Sequence, residues 1–244
     1  MCRHLAYVGR PVGLGELLVD PPHALFRQSW EPRRQHHGIM NVDGFGVGWY
    51  VPGHESPARH RAGVPIWADE TFADLARVVR APAVLAAVRS ATTGMAPGTA
   101  AAAPFRRGRW LFSHNGALAG WPATGGELAR GLPPEALVRL DAPTDAALLW
   151  ALVAELLDAG APPGEALADV VRRALAAGGG RLNLLVTDGS VIAATACGAS
   201  LCWRAEPDGV LVASEPHDEH PGWQDLPDHH LLTATPDGVT VTPL

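Results

Sequence analysis

Lysine is absent: all 19 basic residues of the 244-residue chain are arginine. Schiff-base chemistry and a lysine general base are therefore excluded, and any nucleophile has to come from another residue type. Beside abundant Ala, Gly and Pro, the missing lysine reads as the codon bias of a GC-rich genome. Cysteine is scarce as well. Cys2, Cys197 and Cys202 are too few and too unevenly placed for a secreted disulfide framework. No apolar stretch reaches the ~18 to 20 residues that span a bilayer; the longest, Ala146 to Leu157, is interrupted by Glu155. The N-terminus lacks the apolar run of a secretory signal, so a cytoplasmic protein with no membrane role is expected. Clustered basic residues are lacking too, and a formal net charge of −6 argues against nucleic acid as a partner.

What the chain does have is 47% hydrophobic and 18% charged residues, the composition of a globular domain. Short β-like runs at Leu5 to Val8, Phe45 to Val51, Val84 to Val88 and Trp110 to Ser113 alternate with Gly- and Pro-rich loops. Helical spacing shows at Leu14 to Val19 and at Thr71 to Val79, where Phe72, Leu75, Val78 and Val79 recur on one face. Thr144 caps a helix predicted over Asp145 to Asp158, and a second follows from Glu165 to Ala177. The rest reads as strands: Asn183 to Thr187, Val191 to Cys197, Leu201 to Arg204, Val210 to Ser214, Leu231 to Thr235 and Val239 to Thr242. Asp188-Gly189, Pro207-Asp208-Gly209 and Pro236-Asp237-Gly238 supply hairpin turns. Strands, a helical pair and antiparallel strands in that order predict one layered α+β domain over 2–244, with the two helices covering a sheet face.

A few residues could carry chemistry. With Met1 excised, Cys2 would hold a thiol and an α-amine in one residue, and both groups ordinarily titrate within about two units of neutrality. Nucleophile and general base would then be one residue. Downstream, Asn41-Val42-Asp43-Gly44-Phe45-Gly46-Val47-Gly48-Trp49-Tyr50, Val88-Arg89-Ser90-Ala91-Thr92, Ser113-His114-Asn115-Gly116, Pro143-Thr144-Asp145 and Ala213-Ser214-Glu215-Pro216 follow in order. Arginine offers planar two-point recognition of a carboxylate. A neutral amide beside a glycine can donate hydrogen bonds to a developing oxyanion, and Asp145 sits at a helix start, where the helix dipole favours an anion.

Together with the Met1-Cys2-Arg3-His4 opening, these motifs resemble, over most of the chain, the class II glutamine amidotransferase domain of the N-terminal nucleophile hydrolase superfamily. The resemblance implies a four-layer αββα sandwich. It also implies Cys2 as nucleophile, Asn115 and Gly116 as the oxyanion hole, and Arg89, His114 and Asp145 holding the glutamyl end of a small-molecule substrate. The Ser214-Glu215-Pro216 loop matches the family without a role attached to it. Within the family, the whole-length pattern most resembles the stand-alone hydrolases of ergothioneine biosynthesis, which release glutamate from γ-glutamyl-hercynylcysteine sulfoxide. The quaternary ammonium of that leaving half suits the net negative charge and some of the eight tryptophans.

Other features carry less. His217, His220, His229 and His230, and likewise His36-His37, read as surface histidines and not as a metal site. Cys197 and Cys202 read as buried small residues. Gly44-Phe45-Gly46-Val47-Gly48 lies within a strand-like run and fails the dinucleotide fingerprint, and the chain has no Walker motif, so no cofactor and no obligatory protein partner is expected. Two alternatives stay open: a glutaminase-type domain that supplies ammonia to a partner chain, and a catalytically silent binding module.

Overall fold

The computed structural model describes residues 2–36, 38, 40–91 and 98–244. Met1, His37 and Thr92, which the sequence reading drew on, lie outside the described residues. The strands are β1 (Arg3–Gly13), β2 (Phe45–Trp49), β3 (Ala58–Ala62), β4 (Arg80–Val88), β5 (Phe105–Arg107), β6 (Trp110–Leu118), β7 (Gly180–Thr187), β8 (Ile192–Ala196), β9 (Cys202–Glu206), β10 (Gly209–Ala213), β11 (Gln224–Asp225), β12 (His230–Thr235) and β13 (Gly238–Pro243). The helices are α1 (Leu14–Leu18), α2 (Leu25–Gln28), α3 (Glu70–Val78), α4 (Ala123–Ala129), α5 (Pro134–Val138), α6 (Asp145–Asp158) and α7 (Pro163–Ala177).

The strands form two antiparallel sheets, ordered β11-β9-β10-β1-β4-β2-β3 and β13-β12-β8-β7-β6-β5. Alternation along each strand sends successive side chains to opposite faces, so a strand buried on both sides feeds two cores. In β1, Ala6 and Val8 enter the core between the sheets, while Leu5 and Tyr7 enter the core under α1, α2 and α3. In β6, Leu111 belongs to the inter-sheet core, whereas Phe112 and Leu118 pack with α6 and α7. Three cores between four layers are the αββα sandwich, and the helical pair α6–α7 covers one sheet face as expected.

Helix α6 starts where the sequence places it because Thr144 Oγ1 accepts from Ala147 N at 3.2 Å, satisfying one otherwise orphaned amide of the first turn. Its apolar residues lie nearly all round, since sheet, α7 and α5 surround it; Trp150 stacks on Phe112 with centroids 5.2 Å apart. The three turns read from sequence do join β7–β8, β9–β10 and β12–β13 as hairpins.

Three expectations need correction, and further strands appear. The strand expected to stop at Ser113 continues as β6 to Leu118, because Asn115, Gly116 and Ala117 pair in register with Asn183, Leu182 and Arg181 of β7. The Asn-Gly pair therefore sits inside a ladder and not in a turn. The helix expected to end at Val79 stops at Val78, which faces solvent, because Val79 is already extended to enter β4. Strands β3 and β5 escaped notice because Ala58–Ala62 has no apolar alternation and Phe105–Arg107 is only a short edge strand. His217, read as a surface residue, is buried beside Asp218 and edge-on to Trp223.

Leu149 is fully buried between α6 and its sheet. Leu149→Ala is expected to cost about 2–5 kcal/mol through lost transfer energy and the cavity left behind. Urea unfolding should show a lowered midpoint at unchanged slope.

Candidate active site

One end of the sandwich carries polar side chains where the remainder of the inter-sheet core is apolar. By strand alternation His4 shares a face with Ala6, and Ser113 and Asn115 share a face with Leu111, so all three enter the gap between the sheets. Buried polar groups at such positions have to satisfy one another. The Cys2 nitrogen donates to Asn115 Oδ1 at 3.2 Å, and His4 Nδ1 lies 3.2 Å from Ser113 Oγ. Ser214, just beyond β10, accepts at its Oγ from His4 N at 3.0 Å and from Asn115 Nδ2 at 3.4 Å. Cys2 is half-buried; His4, Ser113, Asn115 and Ser214 are inaccessible to solvent.

A cavity opens at this end, lined among others by Cys2, Arg89, Ser90, His114, Gly116 and Asp145, with Ala103 and Phe105 forming apolar wall. Five of the six residues singled out in the sequence line it, and the sixth, Asn115, bonds the Cys2 nitrogen. A larger groove between β5, α5 and α6 is charge-balanced, with Arg106, Arg107 and Arg139 against Glu135, Asp141 and Glu155, and holds no cysteine.

Each lining group is held by its own element. Arg89 follows β4; its Nη1 donates to Asp43 O at 3.2 Å, and its backbone O accepts from Asp43 N at 2.9 Å. Asp43 in turn accepts from Ala91 N at 2.8 Å, so the motif before β2 fixes the segment after β4. His114 Nε2 lies 2.9 Å from Arg181 O; a carbonyl can only accept, so Nε2 carries the hydrogen and a neutral ring leaves Nδ1 as acceptor. At Gly116 a Cβ would stand 1.8 Å from Arg181 O, so no larger residue fits that register. Asp145 is buried at the start of α6, where its Oδ2 accepts from Leu118 N at 3.0 Å and ties β6 to the helix. A carboxylate has about four acceptor positions, so this structural bond leaves capacity for a ligand cation.

The Ser214-Glu215-Pro216 loop acquires a physical role. Glu215 is fully buried and accepts from Arg33 N at 2.9 Å and Arg34 N at 2.7 Å, pinning the 33–34 backbone to the end of the sheet. Its other neighbour is Arg3, also fully buried, at 3.8 Å. Burial pulls the Arg3 pKa down, while Glu215 works against that shift. Arg3 Nε also donates to Cys2 O at 2.9 Å, so the pair steadies the backbone of the nucleophile candidate. Sequence reasoning did not see His4, Ser113 or Asp43 as members of this site. For His4 and Ser113 the available signal was a polar side chain at an inward position of a strand whose other inward residues are largely apolar; Asp43 lies before β2 and gives no such signal.

Among the described residues no group of three or more His, Cys, Asp and Glu is arranged to hold a metal. No helix there is long and apolar enough to cross a membrane.

Compared with known proteins, residues 24–219 match the family model for class-II glutamine amidotransferases. The gamma-glutamyl-hercynylcysteine sulfoxide hydrolase of Mycolicibacterium smegmatis is 43% identical over 246 positions, covering 100% of both chains. That of Mycobacterium tuberculosis is 41% identical, over 100% of this chain and 97% of the relative. Among solved structures, a glutamine aminotransferase class-II domain protein from Silicibacter pomeroyi superposes with a TM-score of 0.72 at 24% identity, covering 99% of each chain, a likeness of fold.

Burial, with Arg3 and His114 nearby, pushes His4 down to about 3, so it is neutral in the folded protein; burial also lowers His217. Between pH 3 and the ordinary histidine value of about 6.5 the unfolded chain therefore binds more protons than the folded one, and stability falls as pH falls through that window. Urea midpoints at pH 7, 6 and 5 should decline for the parent protein and decline less for His4→Asn.

Proposed function

Because the chain belongs to the class-II glutamine amidotransferase family, we propose that it hydrolyses a γ-glutamyl amide, and that the amide is γ-glutamyl-hercynylcysteine sulfoxide. The observation that carries the reading is the meeting of Cys2, Arg89, Asn115, Gly116 and Asp145 around one cavity. Full-length identity of 41–43% to hydrolases named for that substrate supports the choice of amide.

Removal of Met1 converts the Cys2 nitrogen into an α-amine, still beside Asn115 Oδ1. This amine takes the thiol proton, directly or through one water, and the sulfur attacks the γ-carbonyl carbon. Arg89 holds the substrate α-carboxylate, Asp145 its α-ammonium, and His114 lines the same pocket. The carbonyl oxygen becomes an oxyanion facing Asn115 Nδ2 and the Gly116 amide, donors set in place before the charge develops. The Cys2 ammonium then protonates the departing amine, and the C–N bond breaks to leave a γ-glutamyl thioester. Water, deprotonated by the same amine, cleaves the thioester, releasing glutamate and restoring the thiol.

The protein works alone on a small molecule, without nucleic acid, membrane or obligatory partner. Its place is the cytoplasm, where a thiol nucleophile stays reduced. The match over the full length of a hydrolase named for a small γ-glutamyl compound supports the small-molecule reading.

Glutamate release from γ-glutamyl-hercynylcysteine sulfoxide and, separately, from glutamine, followed by mass spectrometry, tests the reading. Release from the sulfoxide should dominate and vanish in Cys2→Ala; preference for glutamine would move the protein to the ammonia-donating class, and release from neither would make it a silent module. Asn115→Ala should lose ~10²- to 10³-fold in kcat while staying folded. Arg89→Lys should mainly raise KM, because an ammonium cannot make the paired carboxylate contact.

A further inference from the structure

We propose that Ser214 is a positioning residue for the reaction: it fixes the plane of the Asn115 amide, so that one Nδ2 hydrogen is spent on Ser214 and the other faces the reacting carbonyl. The inference rests on the hydrolase reading above and assigns a role to the serine of the Ser214-Glu215-Pro216 loop.

A primary amide has one acceptor end and one donor end of almost the same shape, and only its partners decide which end points where. Asn115 Oδ1 faces the Cys2 nitrogen at 3.2 Å and Nδ2 faces Ser214 Oγ at 3.4 Å. The NH2 group carries two hydrogens, so the bond to Ser214 leaves one for the oxyanion. The two partners differ in constancy. The Cys2 amine gains and loses a proton during each turnover, so its bond to Oδ1 changes strength through the cycle. Ser214 does not titrate, and it is the partner that stays the same from ground state to thioester.

Ser214 is itself anchored on every side. Its N donates to His4 O at 2.9 Å, its O accepts from Ser200 Oγ at 2.7 Å, and its Oγ accepts from His4 N at 3.0 Å. Ser200 is held in turn by Asn183, which lies opposite Asn115 in the β6–β7 ladder and donates from Nδ2 to Ser200 O at 3.3 Å. A closed circuit of hydrogen bonds thus runs from Asn115 through Ser214 and Ser200 to Asn183 and back across the ladder. Each bond in such a circuit restrains the next, so the amide is held in one orientation while its second Nδ2 hydrogen stays available for the oxyanion. Ser214 directly follows β10 of one sheet and Asn115 lies on β6 of the other, so their bond also ties the two sheets together beside the nucleophile.

The test is a cycle of Ser214→Ala, Asn115→Ala and the double variant, with glutamate release measured on both γ-glutamyl-hercynylcysteine sulfoxide and glutamine, and with Asn115 side-chain amide signals followed by NMR. Ser214→Ala should lower kcat by about 10- to 100-fold, less than the loss of a direct oxyanion donor, with KM within about twofold because Arg89 and Asp145 grip the glutamyl end independently. In the Asn115→Ala background the same substitution should cost less than about twofold, since the group it positions is gone. The Asn115 amide protons, assigned by their absence in Asn115→Ala, should exchange faster with water in Ser214→Ala. If Ser214→Ala does not fold, Ser214→Cys, with a weaker acceptor of similar size, carries the same comparison. Multiplicative losses in the double variant, an effect on KM alone, or unchanged amide signals would overturn the proposal. Wild-type protein that turned over neither substrate would sink the hydrolase reading instead, and the amide signals would still decide the role of Ser214.

Discussion

The Cys2 nitrogen and Asn115 Oδ1 meet across a gap between two sheets, 113 positions apart in the chain. Most of that gap is filled by Ala6, Val8, Leu85, Leu111, Leu185 and Val212, residues that ask only for close packing. At the end where Cys2 lies, the packing partners become polar, and a buried donor or acceptor left alone costs on the order of 1–3 kcal/mol. Both sheets therefore have to present complementary groups in one register, and the site inherits its geometry from that requirement. Strand β6 lies at the centre of it: one face supplies Ser113 and Asn115 to the gap, the other supplies His114 and Gly116 to the cavity wall.

Charge is handled in the same way on the outer side of β1. Arg3 and Glu215 are both removed from water, a costly arrangement unless the remaining donors and acceptors are used. They are used structurally: the carboxylate holds the 33–34 backbone, and the guanidinium holds the Cys2 carbonyl. The result is a nucleophile candidate whose backbone is clamped while the residue itself stays half-exposed on the cavity wall. Asp43 does the corresponding work for Arg89, and Asp145 for the junction of β6 with α6, so carboxylates near the site serve as joints of the fold.

The legible part of this arrangement was local. Helix α6 could be placed to the residue because the Thr144 cap, the apolar run and Asp158 before Gly160 all lie within one short stretch of the chain. Cys2, Arg89, Asn115, Gly116 and Asp145 could be named because their short motifs, each weak alone, follow one another in the order of the class II glutamine amidotransferase domain. The illegible part was relational. That Ser113 answers His4, that Ser214 answers both His4 and Asn115, and that Glu215 answers a loop 181 residues earlier depends on which strands become neighbours, which no local window contains. The Asn115-Gly116 dipeptide favours a turn in isolation, whereas here eight ladder pairs with β7 outweigh the local preference and carry the strand on to Leu118. His217 looked exposed by composition of its loop and is buried, since Trp223 folds over it.

The central claim is that the amino-thiol of Cys2 forms the covalent intermediate. Intact-mass spectrometry of the purified protein, before and after an acid quench during turnover of the γ-glutamyl substrate, tests it directly. Active protein should have lost Met1 and should gain the mass of one glutamyl group, localised by peptide mapping to the N-terminal residue and removed by hydroxylamine. Full activity in protein that retains Met1, or a glutamyl adduct on any other residue, would contradict it.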